Sequence, residues 1–220
     1  MLYNGNFDAE PERSSAPSPA AALTLVSRRD PRRRILDAMV AVVARRGYDR
    51  ATVSRVLAEA DVAEAVFSEH FHDKHDCFMQ AIDELVGTAE RRAREQFERP
   101  LAWSQRVCEA LALLLGTLAK DPDGARVIFV EMLCAGPAPQ ERHRRALSLF
   151  VSLMEEGRSH AGEPILPAQI SEAVVGGIAS ILHRRVLQGE TATLPALHRD
   201  LAYFALLPYL DEERALAAVT

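Results

Sequence analysis

The stretch from Thr52 to Lys74, TVSRVLAEADVAEAVFSEHFHDK, constrains this chain more than any other. Val53, Val56 and Leu57 fall on one side of a first short helix. Val66, Phe67 and Phe71 give a second one a buried side, the spacing an amphipathic helix requires. Ala60-Asp61-Val62 makes the turn between them. Two short helices joined in this way form a helix-turn-helix, whose second helix has the right width for the DNA major groove. Upstream, a helix is predicted from Pro31 to Arg46, with Asp30 as N-cap, Pro31 at the first position and Gly47 as its stop. Its wide apolar face, Ile35, Met39 and Val42 flanked by Leu36, Val40 and Val43, packs on the two short helices.

At 220 residues, 48% apolar and 26% charged, the chain can bury a core of one or two domains. Cys77, Cys108 and Cys134 show no Cys-x-x-Cys pairing, and an odd count so spaced fits a reducing compartment. The longest apolar runs, Leu111 to Leu115 and Leu201 to Leu207, fall short of a membrane span. The opening MLYNGNFDAEPERSSAPSPAA lacks the order of a signal peptide, so a cytoplasmic location is expected. The net charge is -5, yet Arg28, Arg29, Arg32, Arg33, Arg34, Arg45, Arg46 and Arg50 gather around the helix-turn-helix. A basic arm on an acidic body fits nucleic-acid contact confined to one end; a solvated helix start is the plainer alternative. Residues 1–27, with Pro11, Pro17 and Pro19, are read as a disordered tail.

The run Gly47-Tyr48, Thr52-Val53, Ala60-Asp61-Val62, Phe67, His70-Phe71, Lys74 and Phe78 resembles the amino-terminal domain of the TetR (tetracycline-repressor-like) family of bacterial transcription regulators. The segment EHFHDKHDCF, Glu69 to Phe78, is the nearest part of the match. The resemblance implies an all-α fold in which a three-helix helix-turn-helix DNA-binding domain over 28–74 precedes a helical ligand-binding and dimerisation domain over 75–220. Residues 75–98 would form the connecting helix between them.

On that pattern the DNA-contacting positions are Thr52, Ser54, Ala63, Glu64, Val66, Phe67, Ser68, His70 and Lys74, with His70 and Lys74 meeting phosphates. The Thr52 hydroxyl caps its helix where a phosphate oxygen also binds. Three positions depart from the family. Asp61 stands in place of glycine, which the turn survives because aspartate tolerates left-handed backbone. Ala63 replaces a capping serine, a loss of roughly 1 kcal/mol. Ser68 stands near the usual tyrosine, and Glu59, Asp61, Glu64 and Glu69 add negative charge where DNA would lie. His70, His72, Asp73, His75 and Cys77 match no zinc spacing, so no metal and no cofactor is expected.

Beyond a long helix to Phe97, Trp103, Val107, Leu111, Leu114 and Leu118 predict a helix to Lys120, and Asp121-Pro122 breaks and restarts the chain. In the family such central helices enclose a small-effector pocket. Trp103, Leu111, Phe129, Met132, Phe150, Met154 and His183 are the candidate lining, with plain core packing as the alternative. Gly176, Gly177 and Ser180 set small residues on an apolar helix, a sign of close approach. A second apolar helix is predicted from about Leu194 to Leu210. The resemblance implies that this pair forms a homodimer interface through Gly176, Gly177, Ser180, His183, Leu197, Leu201 and Phe204, a closed monomer core being the alternative.

The reading that follows is a homodimeric regulator of a double-stranded DNA operator, a repressor relieved by an unidentified small-molecule effector. The departures in the recognition helix keep a second reading open, a ligand- or partner-binding dimer of the same fold that has lost operator recognition. The chain carries no Gly-x-Ser-x-Gly, phosphate loop, dinucleotide fingerprint or zinc spacing, so an enzyme is not expected.

Overall fold

The computed structural model describes residues 30–161 and 166–220. The tail expected over 1–27, and Arg28 and Arg29, lie outside the described residues. Helix α1, Pro31–Arg46, has the predicted ends: the Asp30 carboxylate accepts the Arg32 amide, and Gly47 turns the chain at φ 82°. Thr52 caps α2, Val53–Ala60, by accepting the Arg55 amide. Helix α3, Glu64–His70, starts at Ala63 with no side-chain cap. Between them Asp61 sits in the left-handed region at φ 52°. The strain is offset from α1, where the Arg34 guanidinium donates to the carbonyls of Ala60 at 2.5 Å and Asp61 at 2.8 Å. Ile35, Met39, Val43, Val56, Phe67 and Phe71 close the core of this amino-terminal head.

Helix α4, Lys74–Phe97, begins with interlocked caps: Asp73 accepts the Asp76 amide, and Asp76 accepts the His72 amide at 2.9 Å. Those bonds explain the HDKHD run as a helix start. Helix α4 buries Cys77, Phe78, Ala81, Ile82, Val86 and Ala93. The expected Leu85 and Ala89 are only half-buried, because they border a cavity.

Helix α5, Trp103–Lys120, is followed by α6, Pro122–Arg126, whose cap Asp121 accepts the Gly124 amide at 2.9 Å. The chain then passes through a π-helical turn, Val127–Glu131, into the short helix Met132–Cys134. Val127 and Met132 join the head core, while Phe129 and Val130 join the body core. The body is completed by α7, Pro137–Glu156, α8, Ile170–Leu187, α9, His198–Leu206, and α10, Glu212–Ala218. The helix expected from Leu194 is in fact a 3-10 turn, Thr191–Leu197, before α9. Pro195 inside that turn has no amide to donate, which favours the short form.

Trp103 is a core residue. Its ring N–H donates to the Leu153 carbonyl at 2.8 Å, and its ring packs edge-on against Tyr209. Tyr209 in turn shares a buried 2.8 Å hydrogen bond with Ser171. Gly157 lies directly under this ring, where a Cβ would overlap Trp103 and come within 2.8 Å of Tyr209. Gly157→Ala is therefore predicted to cost about 1–3 kcal/mol in urea unfolding. Arg34→Ala removes the clamp on the strained turn and is predicted to cost about 1–3 kcal/mol, read as a lowered Tm.

Candidate functional site

The surface built by the helix-turn-helix follows from which side α3 buries. Phe67, 4% exposed, packs into the head core. That burial corrects its place among the DNA-contacting positions, since a core ring cannot meet a duplex. Ala63, Glu64, Ser68 and His70 are exposed together, Val66 is half-buried, and Thr52 and Ser54 are exposed on α2. Lys74 is half-buried, its ammonium 3.1 Å from the Tyr48 carbonyl and 4.1 Å from that ring's centre. Lys74 thus fixes the loop before α2 to the start of α4.

The arginines are not a free arm. Arg32 bonds Glu84 at 2.7 Å and Gln80 at 2.8 Å, and Arg33 bonds Glu84 at 2.6 Å. Together with Arg34 on the turn, these residues tie the head to itself and to α4. Arg45 pairs with Glu59 at 2.6 Å. Arg46, Arg50 and Arg55 stay exposed beside α2.

Behind the head, α4, α5, α7, α8 and the π-helical turn enclose a cavity of about 600 Å³. Leu111, Phe129, Phe150 and Met154 line it as the sequence anticipated. Trp103, Met132 and His183 do not. Trp103 is held under α7, Met132 is fully buried in the head core, and the His183 ring lies 2.5 Å from the Phe129 carbonyl through Nδ1. The sequence reading missed His143, which lines the cavity at 8% exposure. It lies on the same stripe of α7 as Leu147, Phe150 and Met154, one turn further back. Burial pushes its pKa down, so the ring is neutral near pH 7. Arg33, Glu84, Glu90, Arg92, Lys120 and Asp121 supply charge along the same lining.

The cavity wall is joined to the head by short polar bridges. Glu131, 7% exposed at the end of the π-helical turn, accepts the Tyr48 amide at 3.2 Å and pairs with Arg126. Arg142 on α7 holds α4 through Asp83 at 2.8 Å and Glu90 at 2.7 Å. On the far side of the body, Gly176 and Ser180 are exposed, and Gly177 lies under Phe204, itself 44% exposed. Leu197 and His183 are half-buried. Leu201, at 5% exposure, points into the core and leaves the candidate interface. Among the described residues, no helix is long and apolar enough to cross a membrane.

Residues 35–81 match the family described as bacterial regulatory proteins, tetR family. A fatty acid metabolism regulator protein of Bacillus subtilis (strain 168) is 22% identical over 121 residues, which is 55% of this chain and 62% of that protein. The match therefore spans less than two thirds of that relative. Among solved structures, the fatty acid degradation regulator FadR from Bacillus halodurans superposes with a TM-score of 0.69 at 20% identity, over 80% of this chain and 95% of its own. FadR from Bacillus subtilis, solved in complex with stearoyl-CoA, gives 0.68 at 20% identity, over 80% and 97%. At that identity the likeness establishes the fold. By the domain spanning residues 35–81, set on a body of the same fold, the chain belongs to the tetR family of bacterial regulatory proteins.

Proposed function

We propose that this chain is a homodimeric transcriptional repressor whose head, residues 28–74, binds an operator and whose body, residues 75–220, releases it on taking up a long acyl chain, most simply as a coenzyme A thioester. The observation that carries the reading is the apolar cavity of about 600 Å³ lying directly against the π-helical turn that bonds the head. A cavity of that size, apolar with few polar groups, suits a lipid-like ligand. Its lining includes Arg33, Arg92 and Lys120, cations suited to a phosphorylated carrier. Relatives of the same fold that regulate fatty acid metabolism, one solved with stearoyl-CoA, support the choice of ligand class.

The exposed side of α3 with Thr52 and Ser54 would face the major groove, and Arg46, Arg50 and Arg55 would meet phosphates. The partly exposed Phe204 and the small residues Gly176 and Ser180 would pair α8 and α9 with their copies. Two heads held about 34–36 Å apart would then span successive major grooves. Ligand in the cavity would displace Ile128 and Phe129, and the Glu131–Tyr48 bond would carry that movement to the head. A coupling of roughly 1–3 kcal/mol suffices for such a switch.

Selection of bound duplexes from random sequence should yield a palindrome, and stearoyl-CoA should weaken its binding at least fivefold. Enrichment of no sequence would overturn the operator reading. Glu131→Ala is predicted to leave operator affinity within about threefold while abolishing most of the release by stearoyl-CoA, measured by fluorescence anisotropy.

The exposed acidic Glu64 and Glu69 favour one further reading, a dimer of this fold that no longer holds an operator tightly. Glu64→Arg decides between them. A working repressor should gain non-specific affinity and one more released counterion per head, but lose selectivity for its palindrome. A chain without an operator should gain affinity for every duplex alike.

A further inference from the structure

His143 lies inside the cavity, and its Nδ1 is fully shielded yet bonded to no protein group. The surrounding α7 stripe is apolar, Leu147, Phe150 and Met154, and the Phe129 ring meets the imidazole edge-on. The neighbouring His183 offers no partner, since its own Nδ1 is engaged with the Phe129 carbonyl. A buried nitrogen that can bond but does not is unusual in folded proteins, and it is costly when pressed against hydrocarbon. A plain methylene chain filling the cavity would do just that, giving up on the order of ten- to a hundredfold in affinity.

We infer that His143 reads a hydroxyl group on the ligand's chain, so that the effector is a hydroxylated acyl group in preference to a saturated one. The inference rests on the acyl-ligand reading above and narrows it. A hydroxyl serves either form of the neutral ring: it donates to a bare Nδ1 or accepts from an Nδ1–H. The carboxyl group of a free fatty acid could offer the same O–H. A thioester has no carboxyl proton, so the use of thioesters separates the two sources.

The test is binding of stearoyl-CoA and of hydroxystearoyl-CoA thioesters, with the hydroxyl near the thioester, at mid-chain or near the methyl end, to the full-length protein by calorimetry. At least one hydroxylated thioester should bind roughly tenfold tighter than stearoyl-CoA. His143→Leu should remove that advantage and bind stearoyl-CoA as tightly as before or more so. His143→Gln, which keeps a hydrogen-bonding group, should retain part of it, and circular dichroism of both variants confirms folding. If stearoyl-CoA binds and no hydroxylated thioester binds tighter, the hydroxyl inference falls and the acyl reading stands. If a preference survives His143→Leu unchanged, His143 is not its reader and the inference falls. If no thioester binds at all, the acyl reading falls and takes the inference with it.

Discussion

One segment has to belong to two cores. Between Arg126 and Met132 the chain places Val127 and Met132 against the head while Phe129 and Val130 close the body. Each α-helical residue turns about 100°, so a regular helix cannot keep both sets aligned across this span. The π-helical turn Val127–Glu131 widens the coil and changes its phase locally, and Met132 bonds back to the Val127 carbonyl. Glu131 ends up buried against the Tyr48 amide, and the Phe129 carbonyl meets His183. Those polar bonds are what a helix carrying two apolar faces leaves to be satisfied.

The same segment makes the cavity and the head mechanically neighbours. Ile128 and Phe129 are cavity wall, and three residues after Ile128 the chain holds the loop that precedes α2. Helix α4 is fixed from both sides, by Arg32 and Arg33 through Glu84 and by Arg142 through Asp83 and Glu90. Most of these pairs are partly exposed, and exposed ion pairs hold weakly. Weak, specific bonds between two well-packed cores permit small relative movements without unfolding either core.

Arginines 32 to 34 illustrate how tertiary context overrides a charge pattern. In the sequence they look like a basic arm; in the fold they are spent on Glu84, Gln80 and the Ala60-Asp61 turn. The turn shows the converse. A left-handed aspartate is tolerable locally, and the guanidinium from α1 makes it a fixed corner.

What the sequence determined by itself was local: the caps Asp30, Thr52 and Asp73, the stop at Gly47, and the apolar periods that define α1 to α5. Capping and amphipathic spacing act over a few residues, so they are written in consecutive letters. The family resemblance supplied the order of the parts. Which side of an all-apolar helix meets a cavity, a core or solvent was decided only by tertiary packing. Phe67, Leu201, Trp103 and Met132 are indistinguishable by type from residues that line sites, and burial by distant helices assigned them to cores. His143 shared the stripe of Leu147 and Phe150, but nothing in the sequence says that its Nδ1 lacks a partner. Hydrogen-bond satisfaction depends on groups brought together from across the chain, and only the folded structure contains that information.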